Sequence, residues 1–519
     1  MNGFAHSERT PLRTLASPIP RDTYLTRLAQ GAAISLVGRV FGRATSAFTH
    51  VILARFLGPQ DFGLYAVGWT TLQLGGVLAV LGLDRGVVYY GVGRRETDQC
   101  LVNSVLWQSI GLTCALGMVL GTGLYLCAPW LATQVFGKAN LISVMCWFAP
   151  ALCFFSGLRV AAAASRISQR MQFSIYTEEV LQPGAHLLLA FTFFAFGWGL
   201  QGAVGSATIS FGLSFLLALF YIKKLFPRPL PVHTTPPILA ASALGDVLRF
   251  SLPTAGAGVL MMLTVWADRL LVGYYCSAVD IGVYQAAAQC GFMLAIVLSA
   301  FNTIFSPLIA DLYRKGEIAR LDRLFKISTK WGLYCCIPFG LVLILAPGET
   351  MTFLFGHHYE SGAVVLIIVT ITQLINVGTG AVDHLLIMTG QQRSWVIISA
   401  FMLFVNLTMG FLLIPRWGLL GAALATATTY TGLFVAGLLH VKRTLGVWPY
   451  EMQYLKGLAA AVLAGLTVMF LRASGIGPPI IIVCGSVAAS LLVFGATLFA
   501  LGLDREDREF LSLLWQRHG

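Results

Sequence analysis

Charge is what this sequence has least of. Asp, Glu, Lys and Arg make up 11% of its 519 residues, against 57% apolar residues; a soluble domain carries about a quarter charged residues. So few charges cannot cover a water-facing surface on a chain this long, so lipid is its main solvent. Other absences narrow the function. There is no G-x-x-x-x-G-K-[ST] loop, hence no phosphate cradle for ATP hydrolysis in this chain. The ten cysteines are scattered, none as C-x-x-C. Most lie inside apolar runs and read as small apolar residues, not as disulfides or metal ligands. His357-His358-Tyr359-Glu360 is compact and polar, but adjacent histidines in one loop lack the further ligands that close a metal site; no metal or other cofactor is expected. No basic soluble domain is present to bind nucleic acid. No sizeable loop offers the acid or base of a membrane-bound polymerase or transferase, so the chain reads as a non-enzyme. Met1 to Arg27 is polar, holds Pro11, Pro18 and Pro20, and lacks a cleavable signal pattern; it reads as a cytoplasmic tail.

What is there is apolar length. Backbone groups in lipid must be satisfied within the segment, and runs of about 20 residues match spanning helices rather than barrel strands. Fourteen spans are expected, at 30–54, 62–83, 100–127, 141–164, 178–196, 203–222, 248–273, 281–310, 328–346, 363–387, 394–414, 420–440, 455–471 and 478–501. The expected fold is an all-α integral membrane protein. With the N-terminus placed in the cytoplasm, 27 Lys and Arg fall on that side. Five (Arg55, Lys138, Arg269, Arg416 and Arg472) fall on the other, and Arg39 and Arg43 lie inside span one. Such a bias fits an even number of spans with both termini cytoplasmic.

The chain also repeats itself. Asp61-Phe62-Gly63-Leu64-Tyr65 recurs as Asp280-Ile281-Gly282-Val283-Tyr284. Phe136-Gly137 recurs as Phe355-Gly356, and Trp198-Gly199 with Gly202-Ala203 recurs as Trp417-Gly418 with Gly421-Ala422, all at an offset of 219. Pro227, Pro229, Pro231, Pro236 and Pro237 mark a helix-free linker between the copies. The expected division is a tail 1–27, a first lobe 28–226 (spans one to six), a cytoplasmic linker 227–247, a second lobe 248–440 (spans seven to twelve), spans thirteen and fourteen within 441–501, and a tail 502–519. Two pseudo-symmetric six-helix bundles with two added helices are the architecture of alternating access across a midplane site; a membrane scaffold without a substrate is the bland alternative.

Six plus six plus two spans, with Ala54-Arg55-Phe56-Leu57-Gly58-Pro59-Gln60-Asp61-Phe62-Gly63-Leu64-Tyr65 after span one, resemble the Wzx-type polysaccharide flippases of the multidrug/oligosaccharidyl-lipid/polysaccharide exporter superfamily. The resemblance covers about residues 28 to 500. It implies translocation of undecaprenyl-diphosphate-linked oligosaccharide from the cytoplasmic to the periplasmic leaflet of a bacterial inner membrane, with a polymerase and a chain-length regulator as partners. The turn itself needs no ligand to explain it: Gly58 and Pro59 end span one and Asp61 can cap span two.

Candidate site residues follow from polarity inside the spans. Ser35, Arg39, Arg43, Ser46 and His50 share one face of span one. An arginine in the membrane costs at least about 2.5–3.5 kcal/mol, and its planar fork matches phosphate oxygens. Arg39, Arg43, His50 and, near the inner end of span four, Arg159 are therefore expected to bind a diphosphate headgroup; snorkelling and the positive-inside rule are the competing readings. The second copy has Gly258 and Met262 at the positions of Arg39 and Arg43. Gly38 and Gly42 form a small-xxx-small pair suited to helix packing. Gln285 and Gln289 on span eight, and Gln373 and Asn376 on a face of span ten shared with Gly380 and Asp383, are candidate glycan contacts or interhelical hydrogen bonds. Asp268 beside Arg269 and Asp383 beside His384 are candidate H⁺ or Na⁺ sites or neutralised structural pairs. Span one has no carboxylate, which disfavours a drug/cation antiporter of the same superfamily. A peptidoglycan-precursor flippase shares the favoured chemistry.

Overall fold

Helix makes up nearly all of the chain that the computed structural model describes. It describes residues 21–502 without 95–97, 169–171, 227–236, 453 and 476, and without the side chains of 21–36, 93, 237–242, 303 and 304. No strand occurs among the described residues. The helices are α1 Arg21–Val80, α2 Leu83–Arg94, α3 Gln99–Trp130, α4 Leu141–Ser165, α5 Gln172–Ile175, α6 Gln182–Ala195, α7 Gly199–Leu225, α8 Pro237–Tyr275, α9 Ala278–Phe292, α10 Leu294–Arg314, α11 Ile318–Leu345, α12 Pro347–Phe355, α13 Ala363–Thr379, α14 Val382–Met388, α15 Gln392–Leu445, α16 Tyr454–Ala473 and α17 Pro479–Ala500. A π-helical stretch, Tyr176–Leu181, joins α5 to α6. Among the described residues, ten rods are long and apolar enough to cross a membrane, and eleven if α9 and α10, bent by 41°, count as one span.

Two of these rods are longer than one crossing because each hides a turn. Helix α1 breaks at Gly58 (φ 72°, ψ 172°) and α15 at Gly418 (φ 54°, ψ −127°). Positive φ is strained for a residue with a Cβ, so glycine marks both turns. The repeat is visible in the same currency: Gly199 (φ 49°) matches Gly418, and Gly137 (φ 62°) matches Gly356 (φ 106°). Asp61 was expected to cap span two, but helix resumes at Pro59, where a missing N–H costs nothing. Its counterpart Asp280 does cap: Ser277 and Asp280 form a reciprocal capping box at the start of α9.

Three expected boundaries move. The linker drawn to 247 ends at Pro237, which opens α8, since proline is tolerated in a first helical turn. The N-terminal tail drawn to 27 becomes helical at Arg21. Span ten is not one helix: Gly380 (φ 73°) separates α13 from α14 and packs against Thr329 and Phe325, so Asp383 does not share the face of Gln373 and Asn376. Residues 1–20, the linker core 227–236 and the tail 503–519 lie outside the described residues.

The first half packs α3, α4, α6 and α7 around α1; the second packs α8, α9, α11, α13 and α15; α16 and α17 pair with each other against α11. The halves touch at both ends. At one end the repeated turns meet. Gly63 lies against the Ala278 carbonyl oxygen and the Gly282 amide, and Gly282 against the Pro59 carbonyl and the Gly63 amide. The Tyr359 hydroxyl donates to the Ala54 carbonyl (2.7 Å) and the Arg55 guanidinium to the Phe353 carbonyl (3.2 Å) beside this seam. At the other end α2 lies on α8, with Gly82 and Gly86 against Ser251 and the Tyr89 ring stacked on Phe250 at 4.2 Å. Between the two contacts the halves separate.

Candidate functional site

That separation is a cavity of about 520 Å³. Its first-half wall carries Trp69, Asp84, Arg85, Arg159, Glu178 and Glu179; its second-half wall is α8, which presents Thr254, Gly258, Met262 and Val265. The charged groups cluster toward one end. Arg159, with its side chain about half exposed, stands 3.6 Å from Glu178 and 3.9 Å from Asp84. Arg166 lies 3.8 Å from Glu178, which also accepts a hydrogen bond from the Ser174 hydroxyl (3.1 Å). The guanidinium separations exceed the roughly 2.7–3.2 Å of a formed N–H···O bond. They are therefore loose charge pairs that a better-matched anion can replace.

Of the expected headgroup residues, Arg159 is on the cavity wall and the other three are not. Arg39 and Arg43 are exposed on α1, two turns and one turn from Ser46, which among the described residues is the only one of α1 before Gly58 on the wall. They act electrostatically on Glu179. Gly42 is pressed on the Glu179 carbonyl and Gly38 on the Ile175 side chain, so this small-residue pair packs α1 against the segment carrying the carboxylates. Gly258 and Met262, the counterparts of Arg39 and Arg43, line the cavity themselves. His50 is buried: Nδ1 pairs with the Ser46 carbonyl (2.8 Å), and its ring lies edge-on to Trp69 at 5.7 Å and to Tyr65 at 6.2 Å. Trp69 stacks on His186 at 6.0 Å and on Phe211 at 5.9 Å. Enclosed by the rings of this aromatic floor and off the cavity wall, His50 packs against Trp69 rather than facing a phosphate in the cavity.

The second half replaces that floor with an ion pair. Asp268 and Arg269 are the counterparts of Thr49 and His50. Asp268 Oδ1 accepts from the Arg269 backbone amide (2.8 Å) and guanidinium (2.9 Å), and Oδ2 from the Tyr284 (2.7 Å) and Thr426 (3.1 Å) hydroxyls. Arg269 also donates to Gln285 (2.9 Å) and to the Val265 carbonyl (2.8 Å). This tie joins α8, α9 and α15, and it uses Gln285 as a partner for Arg269 instead of presenting it to a sugar. Both charges are buried and matched, which fits the structural alternative for Asp268. Gln373 accepts from Asn376 (3.0 Å) inside the helix bundle, and both are buried away from the cavity wall. Gln289 is half-buried and also off the wall. Asp383 pairs with His384 at 2.9 Å in the first turn of α14.

The cavity is of mixed charge, although span one has no carboxylate: three carboxylates and two guanidiniums line it. Asp84, Glu178 and Glu179 stand on the wall without having been among the expected site residues, because neither the bias of basic residues nor the lack of a carboxylate in span one points to them. The adjacent pair Glu178-Glu179, at the start of an expected span, was the available signal, since carboxylates at membrane depth are rare without a role.

The fold and the site together define a helical membrane protein with two pseudo-symmetric halves and a charged cavity between them. The chain belongs to the polysaccharide biosynthesis protein family, whose sequence signature matches residues 52–364, more than half of it. It is 25% identical over 316 residues to the succinoglycan biosynthesis transport protein ExoT of Rhizobium meliloti, a match spanning 59% of this chain and 58% of the relative. It is 21% identical to stage V sporulation protein B of Bacillus subtilis, over 92% of this chain and 96% of that one. Its fold is that of a lipid II flippase MurJ in an inward closed conformation (TM-score 0.68, 16% identity, 90% of this chain and 98% of that one). An inward-facing multidrug resistance MATE transporter also shares it (TM-score 0.63, 14% identity, 80% and 98%). The alignment with ExoT thus reaches less than two thirds of that relative's length.

Proposed function

We propose that the chain translocates undecaprenyl-diphosphate-linked oligosaccharide across the bacterial inner membrane by alternating access, for synthesis of O-antigen, capsule or exopolysaccharide. The observation that carries the reading is Arg159: a half-exposed guanidinium on the wall of a cavity between two halves, held among the described residues by loose carboxylate pairs at 3.6 and 3.9 Å. A diphosphate offers it two charge-assisted hydrogen bonds in a fork geometry that neither Asp84 nor Glu178 makes. Arg85 shares the wall, and Arg39 and Arg43 extend the cationic surface beyond Ser46 along α1. Family membership and the name of ExoT support polysaccharide precursors as the cargo. The distribution of basic residues supports cytoplasmic termini, and a polymerase and chain-length regulator are the proposed partners.

The test is leaflet exchange of a fluorescent undecaprenyl-diphosphate oligosaccharide in liposomes, comparing wild type with Arg159→Ala, Arg43→Ala and Arg39→Ala. Exchange by wild type that collapses in Arg159→Ala, with monodisperse folded protein, supports the reading. Exchange indifferent to all three arginines moves the headgroup elsewhere.

A second reading has its own observation. Three carboxylates on the cavity wall suit cation/drug antiport, and MATE transporters share the fold. Efflux of a cationic dye that is lost in Glu178→Gln and Glu179→Gln would favour it. A peptidoglycan-precursor flippase would use the same arginine chemistry, and inviability of a deletion strain marks it.

A further inference from the structure

Glu178 occupies the place an anionic substrate would need. Its carboxylate sits between Arg159 at 3.6 Å and Arg166 at 3.8 Å, on a π-helical stretch that α1 fixes through Gly42. Glu178 is the more buried partner, its side chain 14% exposed against 48% for Arg159. Its Oε1 is enclosed and makes no hydrogen bond among the described residues, while Oε2 takes one from Ser174. The charges around the pair Glu178-Glu179 come from every side. Arg39 and Arg43 are on α1, Asp84 and Arg85 on α2, Arg159 on α4 and Arg166 on the turn after it. Helix α6 brings Gln182, bonded to Ser210 of α7 at 3.3 Å, and Tyr221 of α7 lies tilted against Phe173 at 4.4 Å, with Lys223 and Lys224 in the turn after it.

We propose that Glu178 is a built-in counter-anion that a prenyl diphosphate displaces from Arg159 and Arg166, and that it takes up one proton as it is displaced. The inference rests on the flippase reading and deepens it, because it links anion binding to proton binding at the same site. The physical sequence is short. In the empty cavity the carboxylate neutralises the guanidiniums without forming bonds to them. A diphosphate forms those bonds and so wins the arginines. Glu178 is then an enclosed carboxylate whose cations are engaged elsewhere, and leaving a buried charge uncompensated is costly. A proton from cavity water, added to a carboxylate oxygen, removes that charge. Bound substrate and bound proton then occupy the cavity together, and two negative charges are never left competing for one arginine cluster.

Calorimetry on the full-length protein in detergent tests this directly. The probe is a short-chain prenyl diphosphoryl monosaccharide, whose diphosphate diester keeps its charge through the neutral and mildly acidic range. Titration at neutral pH in buffers of different ionisation enthalpy gives the protons taken up per ligand. Wild type should take up close to one. Glu178→Gln, which keeps the shape of the side chain, should take up none and bind about two- to five-fold tighter, the range set by the loss of one partly exposed competing ion pair. Glu179→Gln should retain the uptake, and Arg159→Ala should lose binding. Binding without proton uptake in wild type, or uptake unchanged in a folded Glu178→Gln, overturns the inference and leaves the headgroup site standing. A folded wild type blind to the probe overturns the headgroup reading, and this inference with it.

Discussion

Replacing Gly63 by alanine should pry the two halves apart at the repeated turns. A methyl group there would overlap the Ala278 carbonyl oxygen and lie 2.9 Å from the Gly282 amide nitrogen; one on Gly282 would overlap the Pro59 carbonyl and lie 3.1 Å from the Gly63 amide. Both obstacles are helix backbone, which cannot rotate aside as a side chain would. Ordinary carbon contacts need about 3.5–4.0 Å, so the helices must separate by more than about 1 Å. Overpacking of this kind costs about 1–3 kcal/mol. Applied only to the closed seam, that cost multiplies the open population by about 5- to 150-fold. Hydrogen–deuterium exchange of peptides covering 59–66 and 278–285, on detergent-solubilised protein, reads that population through opening-dependent exchange. Gly63→Ala and Gly282→Ala should each accelerate it. The double variant should fall short of their sum, because one separation relieves both overlaps. Gly123, with nothing near its absent Cβ, is the control. Wild-type exchange in Gly63→Ala, or equal acceleration in Gly123→Ala, refutes the argument.

Further perturbations probe other parts of the molecule. Asp268→Ala strands a buried Arg269 and should cost about 3–5 kcal/mol. Tyr284→Phe, which removes one bond to that carboxylate, should cost about 1.5–3 kcal/mol; thermal unfolding in detergent checks both, and a silent Asp268→Ala would remove Asp268 from the tie described here. Leaflet exchange should fall more in Arg159→Ala than in Arg39→Ala, because Arg159 lines the cavity and Arg39 does not; the reverse order would place the headgroup on α1. Lys138 donates to the Gly273 and Phe136 carbonyls, and burial holds its pKa below the ordinary lysine value, against smaller opposing contributions from Cys276 and Asp280. A depressed pKa means that the folded state binds fewer protons, so stability should climb as pH rises from the folded value toward about 10.4. Lys138→Met should flatten that climb in a comparison of Tm against pH.

The sequence by itself determined the solvent, the secondary structure and the duplication. Eleven per cent charge and apolar runs of spanning length leave helices in lipid as the consistent answer, and each repeated glycine at offset 219 has a backbone or packing reason that local chemistry requires. Periodicity also placed Ser46 with Arg43 on one face of α1. It could not say that the face reaches the cavity only at Ser46, or that His50 turns into an aromatic floor, since burial depends on what α6 and α7 bring against it. The break at Gly380 was not marked in span ten, because glycine inside a mostly apolar run is compatible with helix and with a turn. Partners distant in sequence were decided by tertiary structure alone: Arg159 with Asp84 and Glu178, Asp268 with Tyr284 and Thr426, Gly63 with Gly282. The physical reason is that a charge or a missing side chain is a local property of the chain. Whether it serves as a ligand, a lock or a seam is set by which backbone or counter-charge arrives within a few ångströms of it.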